Sequence, residues 1–296
     1  MVPTGSIVYE ALGFGVLSSA VIAVAAVGFT LQFGISNILN LAYASVMALS
    51  MFAAYLLQKT GVDIWVALPL AGLVGAVISY LINSGIYRPF TRRTSNLFTI
   101  ILATLATGLI LNNLLEGFVG ETFFSYRLPL ARQHAWGTFH FTDNQLVIFS
   151  IAVAAMAAVQ VLLRATALGR AMRATAADST LAANCGIPTD RVTDVAWLLS
   201  GFLCGLGGVT LAMELGSFTP TTAGDFLVIV IAAAVLGGIG RPAGAMVGAL
   251  IVSVASEAVA VAINPVYKTV VGLALLILVL LIRPQGILSL GKVRAG

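Results

Sequence analysis

No aspartate, glutamate, lysine or arginine occurs between residues 11 and 58, and this charge-free stretch limits the possible folds more than any other feature. One helix needs about 20 apolar residues to cross the hydrocarbon core of a bilayer. The 48 residues of this stretch therefore hold two crossings. The segment Gly34-Ile35-Ser36-Asn37 is the natural break between them, because glycine, serine and asparagine are poor helix formers.

Further uncharged intervals follow along the chain, at 64–87, 95–115, 144–163, 195–213 and 226–240. A last apolar block, 242–282, is interrupted only by Glu257 and Lys268. Charged residues make up 9% of the chain, whereas soluble domains carry about 25%, so a water-soluble protein is excluded. The pattern predicts an all-α polytopic membrane protein with eight or nine transmembrane helices, some of them discontinuous, forming one transmembrane domain over residues 1–296.

The basic residues lie between the apolar runs and separate onto two sides of a membrane. One side receives Arg88, Arg92, Arg93, Arg164, Arg170, Arg173, Arg191, Arg241, Arg283, Lys292 and Arg294. The other receives only Lys59, Arg127, Arg132 and Lys268. The positive-inside rule predicts that the first side, with the C-terminus, is cytoplasmic. The net charge of +4 thus reflects topology rather than nucleic-acid binding. If the number of spans is odd, the N-terminus lies outside. If one segment is re-entrant, the N-terminus lies inside, so the side of the N-terminus stays open.

Two segments between the apolar runs are long enough to have functions of their own. The external loop, 117–143, is rich in aromatic residues, and both an interfacial aromatic belt and a docking surface fit it. Its histidines, His134 and His140, have no cysteine or carboxylate cluster nearby, so no metal site is predicted. The inner segment, 164–191, is rich in alanine and predicts a helix outside the membrane, followed by the turn Gly186-Ile187-Pro188.

The chain lacks the motifs of an ATPase or an intramembrane hydrolase. Its one Gly-Lys pair, Gly291-Lys292, is followed by Val293, so no phosphate-binding P-loop is present. Neither an H-E-x-x-H nor a G-x-S-x-G motif occurs. Cys185 and Cys204 are isolated, which argues against a redox pair. The sequence therefore predicts a protein that is not an enzyme and that binds no cofactor or metal itself.

Several polar side chains lie inside the apolar runs, where the bilayer offers them no hydrogen-bonding partner. An intramembrane carboxylate costs about 2.5 to 3.5 kcal/mol at the centre of a helix and is a functional candidate by default. The alternative for Glu257 is a bond to a neighbouring helix that only fixes packing, and the alternative for Glu116 is a position at the outer interface, where the cost is smaller. The predicted translocation-path residues are Asn37, Asn40, Tyr43, Ser45, Asn112, Glu116 and Glu257.

Two stretches interrupted by glycine or proline, 34–45 and 237–248, lie in the two halves of the chain. Interrupted helices in corresponding halves point to a substrate path, since their ends expose backbone dipoles to a polar cavity. Within the second stretch, Gly240, Gly244 and Gly248 recur every four residues, which predicts a close approach by another helix. Together these features indicate a transporter without identifying its class.

Three ordered runs carry a resemblance to a known family: LGRAMRATAADSTLAANCGIPTDRV (168–192), AAAVLGGIGRPAGAMVGALI (232–251) and VVGLALLILVLLIRPQGIL (270–288). With GISNILNLAYASVMALS (34–50) and YRPF (87–90), they resemble the permeases of branched-chain amino acid ABC importers. The chain looks most like the shorter of that family's two permeases.

The resemblance implies a mechanism and partners. Such a permease pairs with a second, longer permease, two cytoplasmic ATPases and an external substrate-binding protein, in a prokaryotic inner membrane. ATP is bound by the ATPases, whose closure moves a cytoplasmic coupling helix and switches the path from outward to inward facing. The residues that match the family's coupling motif here are Gly169, Arg170, Arg173, Asp178 and Gly186. Whether the second permease is distinct or an identical copy stays open.

Two positions depart from the family pattern. Ala177 stands where an acidic residue is usual, and Tyr43 and Ala44 stand where the family reads histidine and glycine. The solute is therefore expected to be small and polar, a branched-chain amino acid or a related amide or acid. A self-contained transporter coupled to ions through Glu257 and Glu116 is the alternative. It accounts for the intramembrane carboxylates but not for the coupling-type helix.

Overall fold

The computed structural model describes residues 4–93, 96–129, 133–136, 139–282 and 286. Its helices are α1 Thr4–Ser36, α2 Tyr43–Lys59, α3 Ile64–Ile82, α4 Arg88–Arg93, α5 Leu97–Val119, α6 Asp143–Ala165, α7 Ala167–Ala177, α8 Ser179–Asn184, α9 Thr189–Leu215, α10 Thr222–Gly237, α11 Pro242–Ala262 and α12 Lys268–Ile282. A π-helical turn, Asn83–Tyr87, joins α3 to α4, and a 3-10 turn, Pro265–Tyr267, precedes α12. Strands β1 Gln133–Trp136 and β2 Phe139–Thr142 form a small antiparallel hairpin.

The described part of the chain contains six helices that are long and apolar enough to cross a membrane. They are α1, α3 continued through α4, α5, α6, α9 and α11. The helices α10 and α12 are apolar but shorter, and α2 has 17 residues. The predicted all-α polytopic fold is confirmed, and these nine helices agree with the expected eight or nine spans. Four of the basic residues that predict the orientation lie outside the described residues: Arg132, Arg283, Lys292 and Arg294.

Helices α1 and α9 form the centre of the bundle. In both helices 78% of the apolar span is buried inside the structure. The buried share is only 17% in α5 and 22% in α6. Helix α1 is buried because residues 20–27 are small or β-branched, which lets α6, α9, α10 and α11 pack closely around it. In a bilayer the exposed apolar faces of α5 and α6 contact lipid or another subunit.

Opposite ends of the bundle differ in chemistry. At the arginine end, Arg88 forms an ion pair with Asp194 at 2.5 Å and Arg92 pairs with Asp190 at 2.8 Å, which fixes α3 and α4 to the start of α9. The aromatic end holds a cluster formed by Phe52, Tyr55, Phe124, Tyr126 and Phe218. Helices α7 and α8 lead directly into α9 and therefore lie at the arginine end.

The predicted break between the first two crossings is present. Helix α1 ends at Ser36, and Asn37 adopts a left-handed conformation with φ of 53°, while its amide still donates to the Phe33 carbonyl at 2.8 Å. Asparagine tolerates this conformation better than most residues. The chain then turns back, and α2 begins at Tyr43. The first crossings are thus two helices separated by the irregular segment 37–42.

Candidate functional site

A buried polar network surrounds the irregular segment 37–42. The Asn40 side chain is 1% exposed, and its oxygen accepts hydrogen bonds from the Tyr87 hydroxyl at 3.1 Å and the Ala42 amide at 3.1 Å. Its amide nitrogen lies 3.5 Å from the side-chain oxygen of Gln32, which also accepts from Ser200 at 3.1 Å. The network joins α1, the break, the π-helical turn and α9 deep within the bundle.

Replacing Asn40 with alanine should lower the free energy of unfolding by about 2 kcal/mol, because buried groups left without a partner cost about 1 to 3 kcal/mol. The Tyr87 hydroxyl and the Ala42 amide both lose their acceptor. Thermal unfolding of the purified chain in nanodiscs measures the change. Asn144→Ala is the control, since Asn144 is partly exposed and its one side-chain hydrogen bond to a described residue is the 3.4 Å contact with the Pro129 carbonyl. Equal melting temperatures for the two variants would contradict the role of the network.

Tyr43 and Ser45, two of the predicted path residues, attach the start of α2 to its neighbours. The Tyr43 hydroxyl donates to the Ala25 carbonyl at 2.9 Å, and its ring packs edge-on against Phe29. The Ser45 hydroxyl donates to the Gly108 carbonyl of α5 at 2.8 Å. Both side chains are at least 95% buried. They fill the core between helices in this conformation.

One flank of α5 is polar although the rest of its exposed surface is apolar. The Asn112 amide donates to Glu116 at 2.6 Å, and the Asn113 amide donates to the Leu109 carbonyl at 2.7 Å. Asn113 is exposed, and Asn112 and Glu116 are partly exposed. Asn113 was not among the predicted path residues. The sequence gives only its position beside Asn112 as a signal. Which side of α5 is exposed depends on how the helices pack, so the sequence does not show that Asn113 lies on the surface.

Glu257 lies apart from this flank. It is 9% exposed and pairs with Lys268 at 2.5 Å, beside a cavity of about 360 Å³ at the aromatic end. Its helix, α11, packs mainly on α1 and α10, whereas α5 packs mainly on α2. Asn37 is exposed and lines a different cavity, at the arginine end. The structure therefore separates the predicted path residues into distinct groups instead of bringing them together in one site.

The residues that match the coupling motif shape the α7–α8 unit. The Thr166 hydroxyl accepts from the Gly169 amide at 3.0 Å and caps α7. A β-carbon on Gly169 would overlap the Leu163 carbonyl, so glycine is required where α7 folds back on α6. The Arg173 guanidinium donates to that same carbonyl. Arg170 is exposed and has no hydrogen bond or ion pair to another described side chain.

Asp178 ends α7 and begins α8. Its carboxylate accepts from the amides of Thr180 and Leu181, both at 2.9 Å, which is the N-cap geometry of a helix. Leu181 is 61% exposed on the outer surface of this unit, and no sequence pattern marked it as a contact residue. Gly186 closes the unit with φ of 84°. The α7–α8 unit thus presents a polar surface with one large apolar side chain.

The glycine-rich stretch 237–248 brings α10 and α11 into close contact. A β-carbon on Gly244 would overlap the Gly237 carbonyl oxygen, and one on Gly248 would overlap the Ala233 carbonyl oxygen. Gly240 differs, because α11 begins only at Pro242. It lies in the preceding turn with φ of 84°, against Gly34 at the end of α1.

The external loop is attached to the aromatic end by its backbone. Phe124 and Phe218 exchange amide-to-carbonyl hydrogen bonds of 2.9 and 2.8 Å, which joins the loop to the α9–α10 connection. The Tyr126 hydroxyl donates to the Met51 carbonyl at 2.9 Å, and burial raises the pKa of this hydroxyl. Phe118 and Phe123 are 88% and 82% exposed beside this anchor. The loop therefore combines a fixed base with exposed aromatic rings.

Comparisons with known proteins agree with this architecture. A sequence model of the family described as branched-chain amino acid transport system, permease component, matches residues 11–280. The high-affinity branched-chain amino acid transport system permease protein LivH of Escherichia coli is 31% identical over 93% of this chain and 93% of LivH. Its counterpart LivM is 27% identical, and the alignment covers 90% of this chain but 67% of LivM. In length the chain resembles the shorter protein.

The fold is also found in a solved structure. PsaBC from Streptococcus pneumoniae, determined in complex with Fab, superposes with a TM-score of 0.53 over 94% of this chain and 92% of that one. The sequence identity is 13%, so this similarity concerns the arrangement of the helices alone.

Proposed function

The chain belongs to the branched-chain amino acid transport permease family, and from this premise we propose that it forms half of the translocation path of a binding-protein-dependent ABC importer. It is a multi-pass membrane protein and a transport component. The proposed complex is located in a prokaryotic inner membrane. The observation that carries the proposal is the polar flank of α5, a helix that contacts the irregular segment 37–42 through Thr104 and Gly108.

The flank of α5 argues for water or a second subunit next to this helix. Lipid tails offer no hydrogen bonds, so polar side chains within spans face a cavity or another protein surface. Asn112, Asn113 and Glu116 lie on one flank of a helix that is only 17% buried. A second, longer permease covering this flank would enclose a polar path between the two subunits. Its other wall would then come from that subunit.

The two ends of the bundle fit the remaining partners. At the arginine end, the α7–α8 unit would dock on a cytoplasmic ATPase through Arg170, Asp178 and Leu181, which are exposed. Two such ATPases would hydrolyse ATP, one for each permease. At the aromatic end, the loop around Phe118 and Phe123 would receive the external substrate-binding protein. Helix α12 starts at the aromatic end, and Gly286 beyond it lies against Gly238 near the arginine end, so in the proposed arrangement the C-terminus would be cytoplasmic.

The transported solute is proposed to be small and polar, a branched-chain amino acid or a related amide or acid. Tyr43 departs from the family's histidine, but its hydroxyl bonds to Ala25 within the core. The change therefore alters the packing around the break and leaves the chemistry of the α5 flank unchanged. The flank offers amide groups and one carboxylate, which bind polar solutes by hydrogen bonding.

Reconstitution of transport tests the proposal. The chain is placed in vesicles alone, and then with the second permease, the two ATPases and the binding protein of the proposed importer. Uptake of labelled leucine, urea and benzoate is followed with and without ATP. Uptake that needs ATP and every partner supports the proposal and identifies the solute class. Uptake by the chain alone, driven by a pH gradient, contradicts it and favours ion coupling through Glu257 or Glu116.

Asn113→Leu should reduce ATP-driven uptake about tenfold, because one polar contact to a passing solute is worth roughly 1 to 1.5 kcal/mol. The variant should fold normally, since Asn113 is exposed and bonds only within α5. Ile110→Leu is the control on the same helix, where the side chain is 60% exposed and apolar. Initial uptake rates of the two variants in the reconstituted complex give the measurement. Unchanged uptake with Asn113→Leu would show that this flank does not line the path.

A further inference from the structure

We propose that Asp194 is a positioning residue for transport. Together with Arg88 and Asn83 it forms the Asp194 clamp, which ties the start of α9 to the π-helical turn between α3 and α4. The clamp makes the break at 37–42 move with the α7–α8 unit. This role rests on the proposed importer function, and it identifies the side chains that carry a movement from the ATPase contact towards the path.

The Asp194 clamp holds the start of α9 by several polar contacts. One carboxylate oxygen of Asp194 accepts from the Arg88 guanidinium at 2.5 Å and from the Asn83 amide at 3.2 Å. The Arg88 guanidinium also donates to the Asp190 carbonyl at 3.1 Å. The side chains of Arg88 and Asp194 are only 25% and 20% exposed, so water screens their attraction less than that of a surface pair. Because α9 begins at Thr189, just after the turn that closes the α7–α8 unit, a movement of that unit reaches the clamp through the first turns of α9.

The π-helical turn on the other side of the clamp is the element that such a movement would shift. Its first and last residues, Asn83 and Tyr87, are 3% and 0% exposed. Turns of this kind are rare and are frequently found at functional sites. Helix α4, which follows the turn, has no buried residue. Its position therefore depends on the ion pairs of Arg88 and Arg92 with α9 rather than on packing.

Tyr87 connects the π-helical turn to the break. Its hydroxyl donates to the Asn40 side chain at 3.1 Å, and its ring lies 5.3 Å from the ring of Trp197, three residues after Asp194 on α9. Two buried donors of this region, the Trp197 indole N–H and the Gln32 side-chain amide, have no hydrogen-bond partner among the described residues. Buried donors without an acceptor are unfavourable. Hydrogen bonding therefore leaves this region room for a second arrangement, as a moving element requires.

The break in turn contacts α5, the helix with the polar flank. The Thr104 hydroxyl donates to the Leu39 carbonyl at 3.0 Å, and a β-carbon added to Gly108 would lie 3.2 Å from the α-carbon of Ala42. Asn112 lies one helical turn beyond Gly108 on α5. A shift of the break would therefore also move the flank that lines the proposed path.

A second ion pair between the same helices provides a matched comparison. Arg92 and Asp190 are 2.8 Å apart, but their side chains are 65% and 66% exposed. Neither of these two side chains bonds to a described residue of the π-helical turn. Exposed ion pairs contribute little, because water and salt screen them. The same substitution should therefore have different effects at Asp190 and at Asp194.

The test uses the complete reconstituted importer, with ATPase rate and uptake of labelled leucine, urea and benzoate measured in the same vesicles. Asp194→Asn keeps the shape of the side chain and removes its charge. It should lower the amount of solute transported per ATP about tenfold, with an ATPase rate within about twofold of the wild type. Asp190→Asn should leave the amount per ATP unchanged. A purely structural role of Asp194 would instead lower the melting temperature and the yield of assembled complex, without lowering the solute transported per ATP by the complex that remains.

Tyr87→Phe tests whether the clamp and the break act together. This variant removes only the hydroxyl that bonds to Asn40, and it should also lower the solute transported per ATP severalfold. If both side chains act through one connection, the double variant with Asp194→Asn should be no worse than the poorer single variant. Independent effects would multiply and would overturn the proposal. Tyr87→Phe also decides the matter alone if the Asp194→Asn complex does not assemble.

The remaining outcomes separate this proposal from the proposed function. Unchanged solute transport per ATP in Asp194→Asn would overturn the clamp but leave the importer function intact, provided that the wild type shows ATP-driven uptake. A wild type without ATP-driven uptake would overturn both. An equal loss in Asp190→Asn would also overturn the clamp, because the effect would then come from surface charge at the arginine end.

Discussion

Gly244→Leu should prevent the chain from forming a stable bundle. At this position α11 passes so close to α10 that even a β-carbon would overlap the carbonyl oxygen of Gly237. The obstructing atom belongs to the backbone and cannot rotate away, so the two helices must separate. Overpacking of a core costs about 1 to 3 kcal/mol, and separation would also disturb the neighbouring contact of Gly248 with Ala233. A loss of this size is a large part of the stability of most proteins.

The measurement is the fraction of protein that elutes as a single species in mild detergent, together with its melting temperature. Gly244→Ala sharpens the test. Alanine in place of glycine usually stabilises a helix by about 1 kcal/mol, but here it should destabilise, because the β-carbon alone already clashes. Gly224→Leu in α10 is the control, since no heavy atom lies within 4 Å of its added β-carbon. A Gly244→Ala protein that melts above the wild type would contradict the close packing.

The spans and the break were predictable because they depend on local sequence. A helix in a bilayer requires a long uncharged run, so the charge-free intervals located α1, α3, α5, α6 and α9 directly. The break after Ser36 followed from poor helix formers in an otherwise helical run. Its detailed form, with Asn37 in a left-handed conformation, was not predictable from that pattern.

The grouping of the polar residues was not predictable, because it depends on how the helices pack. Asn40 and Tyr87 are 47 positions apart, yet they bond to each other across the break. Glu257 and Glu116 were both predicted to lie on one path, and the structure places them on helices with different neighbours. A sequence pattern shows that a carboxylate lies within a span but does not show which helix it faces.

The α7–α8 unit gives Asp178 two separable roles. In this structure its carboxylate caps α8, a helix of six residues that has few other contacts to hold its start. In the proposed importer the same side chain faces an ATPase. A substitution that removes both the cap and the charge therefore cannot tell the two roles apart. Asp178→Ser keeps a capping oxygen and removes only the charge.

Asp178→Arg should leave the importer assembled but reduce the amount of solute transported per ATP hydrolysed by about tenfold. Loss of a helix cap costs about 0.5 to 2 kcal/mol, and it loosens the helix that transmits the motion of the ATPase. The complex is purified, and ATPase rate and uptake are measured in the same vesicles. Asp178→Ser decides the cause. Restored coupling assigns the effect to the cap, and coupling as poor as in Asp178→Arg assigns it to the negative charge at the ATPase contact. An unchanged transport ratio in Asp178→Arg would show that neither role matters and that the α7–α8 unit is not the coupling element.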